Sequence, residues 1–404
     1  MTVAQGLLKT TAFVKQSGLG VPGSSGSQIV RRTQSAFSLS RATYVNNEIV
    51  NHQQSTGQTA GVKQTAGKID GLLSAGTWSK LLGSLLRKDF AATASLTGVS
   101  VTIAGSGPTY TVTRASGSYL TDGAKIGDVI RLSVGALNAA NISKNLLITA
   151  LTATVATVIP LNGVAMVAEG PITGTTVSWP GKKSIVPTSG HTNDYYTFEE
   201  WYSDVSRSEL FTDVKVSKAD IALPATGNAT ISLDVPGLGR TLGASQVCTS
   251  PAAATTTDVL TAVNGAVLIN GTTTPITGAS ISINGQIQPG QPEVGANTIS
   301  DHVRGRIDVS GSFTAKFTTA TLSTIYDAQT KAALVVVLAS DQTATADFVS
   351  FSMSELKLFS DTPNDGEAVE IVRTYAFTAE LNGSGGAALA NDQTIVSIQD
   401  SQAP

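Results

Sequence analysis

The chain has 404 residues, 41% of them hydrophobic, 14% charged and 5% aromatic, with 39 Gly, 14 Pro and a formal net charge of -3. At about 100 to 200 residues per domain it has room for two to four domains with sizeable cores, which argues against a disordered chain. The near-neutral, slightly acidic balance disfavours tight nucleic-acid binding; the single Cys248 excludes an internal disulfide framework, and His52, His191 and His302 are too scattered for an HExxH zinc site.

Charge lies well below the roughly 25% of an average soluble protein, while Thr, Ser, Gly, Ala and Val abound. Polarity drawn from hydroxyls rather than ionised groups suits half-buried strands that face other protein. Such a surface is expected in an assembly.

Met1 to Gly20 is interrupted by Lys9, Lys15 and Gln16 and does not read as an export signal. Residues 1–33 read as a flexible N-terminal arm, with Gly18, Gly20, Pro22 and Gly23 leading to Arg31 and Arg32. From Ala36 to Arg41, Phe37 and Leu39 alternate with Ser38 and Ser40, a strand period. The polar stretch Asn46 to Gly67 reads as a long loop or extended hairpin. Thr77 then caps an expected helix whose Trp78, Leu81, Leu82, Leu85 and Leu86 fall on one face.

From Ala91 to about Pro187 short strands are separated by turn signals: Val99 to Ala104, Tyr110 to Arg114, Asp128 to Ser133, Asn145 to Leu151, Thr154 to Pro160 and Thr175 to Trp179. This texture predicts a small barrel or sandwich inserted as residues 91–187. Its greasiest run, Leu146 to Leu161, is broken by four threonines and falls short of about 18 apolar residues, so it reads as a strand pair and not a membrane span.

The host domain resumes at Tyr195 to Trp201, continues through Val214 to Leu223, and turns into Ala229 to Val235. A weakly structured connector follows, with a boundary near residue 245. The first domain is thus 34–90 with 188–245, and the second is 246–404 with a C-terminal tail.

The second domain repeats the plan of the first. Ala279 to Asn284 echoes Ala36 to Arg41, and the polar Gly285 to Asp301 echoes Asn46 to Gly67. Thr321 with Leu322, Ile325 and Tyr326 matches Thr77 with Trp78, Leu81 and Leu82, and Val349 to Leu358 lines up with Val214 to Leu223 before another strand, Ala368 to Leu381. The continuous apolar run Ala332 to Ala339 should be a strand buried on both faces.

Signs of catalysis are thin. There is no G-x-S-x-G elbow, phosphate loop or acidic calcium loop, and Gly237, Gly239 and Gly243 miss the dinucleotide spacing. Glu199 and Glu200, adjacent in an aromatic strand, would point to opposite faces and cannot flank one bond, so an edge or interface strand is expected there. His52 and His302 lack ligand company and read as solvent-facing loop residues, and Lys182, Lys183, Arg87 and Lys88 as solvated charges. Two long polar loops without a use are costly, which marks them as functional.

The stretch from Ser38 to Thr59, followed by the Thr77 helix and the strand Asp213 to Ile221, resembles major tail tube proteins of long-tailed, siphovirus-like bacteriophages. The resemblance covers the N-terminal arm, both repeats and the C-terminal strands. It implies a mainly β fold of two tandem β-sandwich or barrel tube domains, each with a flanking α-helix; the inserted small all-β domain at 91–187 departs from the minimal tube domain and is expected on the outside of the tube, where it keeps the lumen clear. It implies no enzyme activity, no cofactor and no metal. The expected partners are the chain itself, in homotrimeric rings of pseudo-sixfold symmetry stacked into a helical tube, other tail proteins at the tube ends, and genomic DNA passing through the lumen without tight binding. Localisation would be the virion tail after synthesis in the host cytoplasm, with no membrane insertion.

By position, the inter-ring stacking loops would carry Asn46, Asn47, Glu48, Asn51, His52, Gln53, Gln54 and Gln58 in the first repeat, and Gln286, Gln288, Gln291, Glu293, Asn297 and His302 in the second. The packing helices would present Trp78, Leu81, Leu82 and Leu85, and Leu322, Ile325 and Tyr326. The alternative reading is a β-sandwich adhesin or a receptor- or glycan-binding virion protein.

Overall fold

A computed structural model describes residues 3–404 apart from 365, 367 and 368. Ala368, the expected start of one strand, and the first two residues of the expected arm lie outside the described residues. Strands hold 48% of the chain and helices 6%, which makes the fold mainly β.

The framework is a 14-stranded sheet. Its central path runs from the hairpin Gln34–Val45 and Gln58–Leu72 through Thr230–Asp234 and Lys218–Pro224, and crosses directly to Ile276–Asn284, Asp308–Lys316 and Val372–Ala379. Side chains alternate along it as the strand period requires. Ile69, Ile221, Ile231, Ile281, Val309 and Phe313 are buried beneath, while Lys68, Asp220, Ser232, Ser280 and Ser310 stand on the open face.

A second layer covers the first half of that sheet. It has five strands, in the order Gly239–Gly243, Arg207–Val214, Tyr196–Tyr202, Lys9–Lys15 and Gln28–Ile29. Phe37 ties the layers together, its ring 5.4 Å from that of Phe198 and 4.7 Å from that of Phe211. This arrangement corrects the flexible-arm reading, because Lys9–Lys15 is paired on both sides. Its buried run Thr11, Ala12, Phe13 and Val14 is covered on both faces and shows no alternation for a sequence pattern to find. The glycines behind that reading belong to the return loop before Gln28. Tyr196–Tyr202 is likewise an interior strand and not an edge.

The helix spans Ser79–Leu86, with Leu81, Leu82, Leu85 and Leu86 buried and Trp78 buried just before it. Thr77 does not cap it. Its hydroxyl instead bonds those of Ser74, at 2.6 Å, and Thr255. Arg87, in the left-handed region at φ 62, ends the helix.

Six strands between Leu96 and Ser178 close into a barrel around Val101, Val112, Ile130, Leu146 and Val158. The barrel is not a loose appendage. Val129, Leu147 and Leu161 on its exterior pack against Val335, Val337 and Phe348 of the second half. That contact explains the uninterrupted apolar run of Ala332–Ala339: Leu334, Val336 and Leu338 face the main core and their neighbours face the barrel. Lys183 fastens the joint. It is largely covered rather than solvated, with Nζ 2.6 Å from Asp128 of the barrel and 2.5 Å from Asp392. The main core is continuous across both halves, joining Ile69 and Leu81 to Phe313, Phe351 and Tyr375.

Candidate assembly surfaces

The strand ladders of the two halves repeat one another. Phe37 lies opposite Gly67, and Ile281 opposite Gly311, so both strands of the hairpin move by 244 positions (37 to 281, 67 to 311). The same shift carries the pair Gln34 and Asp70 onto Gly278 and Thr314 and, past a break in register, Thr43 and Ala60 onto Ile287 and Arg304. The helices do not keep this shift: Ser79 and Thr321 begin them and the left-handed Arg87 and Gln329 follow them, a displacement of 242 positions (79 to 321, 87 to 329), so Thr321 matches Ser79 and not Thr77. The sequence pairing of Ala36 with Ala279 is therefore one residue out. In a strand that slip exchanges the two faces, matching the core ring of Phe37 to the exposed Ser280.

Further along, Tyr196 pairs with Val214 and, after a bulge, Phe198 with Phe211. Ala332 pairs with Leu356 and, after the same bulge, Leu334 with Met353. Asp220 opposite Ser232 then recurs as Thr362 opposite Thr374, a shift of 142 positions (220 to 362, 232 to 374) that also takes Val214 to Leu356. Val214 to Leu223 thus does not correspond to Val349 to Leu358. The strand breaks after Val214 in the first half but bends after Leu358 in the second, and the apolar pattern alone cannot place that difference.

Within the long sheet the repeated ladders join at an antiparallel seam, Lys218–Pro224 against Ile276–Asn284. Two edges matching the strands of that seam lack a partner on one side among the described residues: Gln34–Val45, and the segment around Thr362–Asn364.

The two expected stacking loops differ sharply. Strand pairing in the first hairpin continues to Val45 and resumes at Gln58, so the loop is 46–57, shorter than the expected Asn46 to Gly67. Asn46, Asn47, Glu48, Asn51, His52, Gln53, Gln54 and Gln58 are all exposed on this arm.

The second loop folds back over the first half. Asn297 O accepts from the Lys63 backbone at 3.0 Å, and the Tyr195 hydroxyl donates to Asp301 at 2.6 Å. Arg304 donates to Thr192 O at 2.5 Å, and Arg87 donates to the carbonyls of Gly285 and Gly305, both at 2.8 Å. Gln286 bonds Asp308 at 2.9 Å, whereas Gln288, Gln291 and Glu293 stay exposed.

His302 is buried by this folding, contrary to the solvent-facing reading. Burial, with the Lys215 cation nearby, lowers its pKa to about 4, while Asp301 opposes the shift. Burial likewise lowers Lys215 to about 8. Arg87, Tyr195, Lys215 and Arg304, which hold the loop, carry no sequence signal that sets them apart from ordinary surface residues.

The helices differ in the same sense. Leu85 of the first lies against Gly285 of the folded loop, where a Cβ would come within 3.1 Å of its Cδ1. The second helix, Thr321–Asp327, has no buried residue, and Leu322, Ile325 and Tyr326 are only half-covered.

Glu199 and Glu200 are both buried, on opposite faces as expected. Glu199 accepts from Ser208 and from the backbone of Val247 and Cys248; Glu200 binds Lys9 at 2.6 Å and accepts from Ser35. They are satisfied structural carboxylates and share no cavity.

The family model described as phage tail tube protein matches residues 6–379. The chain belongs to that family and is a structural protein of the phage tail. No curated protein matches it.

Proposed function

We propose that this tail tube protein assembles into rings of three chains, each supplying two tube modules, and that the rings stack into the conduit for the genome. The modules are residues 34–90 with 188–245, and 246–404; the barrel at 91–187 is carried on the outside. The observation that carries this reading is the internal seam. An edge of the first half is already satisfied by a strand of the second, and the two remaining edges are the counterparts of that pair. Joining them between chains extends the same ladder and leaves that ladder without a free edge once the ring closes.

The open face of the long sheet is then the lumen wall. Hydroxyls dominate it, with Ser280 bonded to Ser312 at 3.0 Å and Thr314 to Thr374 at 2.8 Å. Its cations are matched by neighbouring acids, Lys218 to Asp220 at 2.7 Å and Lys68 to Asp70 at 3.7 Å. Such a wall offers phosphates few free cations and lets duplex DNA slide. The barrel packs on the opposite side of the second half and keeps the channel clear. The loop tips, with Ile49 and Val294 fully exposed, make the contact between rings.

Negative-stain electron microscopy of the purified chain tests this reading. Rings or tubes are expected; a protein that stays monomeric at high concentration contradicts it.

A further inference from the structure

We infer that the free arm of the first hairpin closes over the second half of a neighbouring copy in the same ring, just as the second loop closes over the first half of its own chain. The inference rests on the ring reading above and adds the arm's docking surface.

Residues 285–307 belong to the second hairpin but lie on the first module, the one joined to it through the seam. A backward shift of 244 positions takes this loop onto the arm, turning His302 into Gln58, Gly305 into Gly61 and Asn297 into Gln53. The surface that receives it shifts as well. Lys215 becomes Lys357 by the later shift of 142 positions. Lys331 and Lys357 lie together, both ion-paired to Glu380, and Lys331 also to Glu355. A cation thus stands at the counterpart of Lys215, which in the first half lies beside His302 and Asp301 of the folded loop, ready for Gln58 of the arriving arm.

Two features of the single chain fit a missing cover at this place. The first helix buries Leu81, Leu82, Leu85 and Leu86 and meets the folded loop where Leu85 lies against Gly285, whereas the helix Thr321–Asp327 buries no residue. The arm itself touches nothing that would hide Tyr44 or Val45, both of them largely exposed. A helix lacking its cover and an arm lacking its seat occur at matched positions of one repeat. Their union buries apolar surface on both.

The test is oxidative cross-linking of the full chain, in which the native Cys248 is buried. Gln58→Cys with Lys357→Cys reports the arm, and Ser38→Cys with Thr362→Cys reports the ring seam, since Ser282 opposite Asp220 shifts onto that pair. Both double variants are expected to give covalent bands that stop at three chains, and the single variants none. Seam cross-links without arm cross-links overturn the arm placement and leave the ring reading standing. Loss of both while rings are seen by microscopy overturns the shared register. An arm pair that closes within one chain, or runs to bands well beyond three chains, places the arm elsewhere and also overturns the inference.

Discussion

Ser282 donates to the Asp220 carboxylate at 2.6 Å across the seam where the two halves of the chain pair strand to strand. The bond stands on the open face, over a layer of Ile221, Ile281 and Ile283 that belongs to the continuous core. One chain therefore already contains the kind of junction that a closed ring needs repeatedly.

The open face should tolerate DNA without holding it. Replacing Asp70, Asp220 and Asp234 together by Lys converts matched charges into free cations. Assembled variant tubes are expected to bind a short duplex in fluorescence anisotropy at physiological salt, with affinity falling steeply as salt rises, while the parent tubes do not. Equal, tight binding by the parent contradicts the proposed lumen wall.

Gly311 has no room for a side chain, because a Cβ there would lie 2.1 Å from the Ser280 carbonyl and 2.7 Å from the Phe377 ring. Gly311→Ala should cost about 1–3 kcal/mol and lower the melting temperature. Gly383→Ala, where nothing lies within 4 Å, should be close to neutral. Calorimetry on the two variants compares them directly.

Lys183 neutralises two carboxylates at the joint between barrel and body, and burial pushes the Asp128 pKa up despite that cation. Lys183→Met leaves Asp128 and Asp392 without their counter-charge and should cost about 3–5 kcal/mol near neutral pH. Part of the loss should return in acid, where the carboxyls take up protons. Undiminished stability in a pH series of chemical melts would show that the joint does not depend on the ion cluster.

Folding of the second loop should weaken in acid. His302 titrates near 4 when folded against an ordinary 6.5, so the fold favours its neutral form. Its contribution is complete above about pH 6.5 and is lost as pH falls toward 4, amounting to about 3 kcal/mol across that window. Amide protection factors in residues 285–307, taken relative to the intrinsic exchange rate at each pH, should fall from pH 7 to pH 5 in the parent and change little in His302→Gln.

How much of this was legible in the sequence follows from where the signal sat. The barrel strands, the first helix and the Phe37 alternation were readable because each shows its burial as a short period. Lys9–Lys15 was hidden because it is covered on both faces, and the repeat register slipped because Ala36 and Ala279 share identity but not orientation. The polar composition of the two loops marked both alike. That one folds back over Arg87 and Tyr195 while the other stands free depends on contacts between residues more than 100 positions apart, which no local pattern records.

Averaged end-on cryo-electron microscopy projections of assembled tubes test the central claim most directly. Three chains with two modules each predict an inner wall of six similar lobes surrounded by three peripheral lobes, one for each barrel at residues 91–187. Six equal peripheral lobes would contradict the account, since each sixth of the ring would then hold a whole chain.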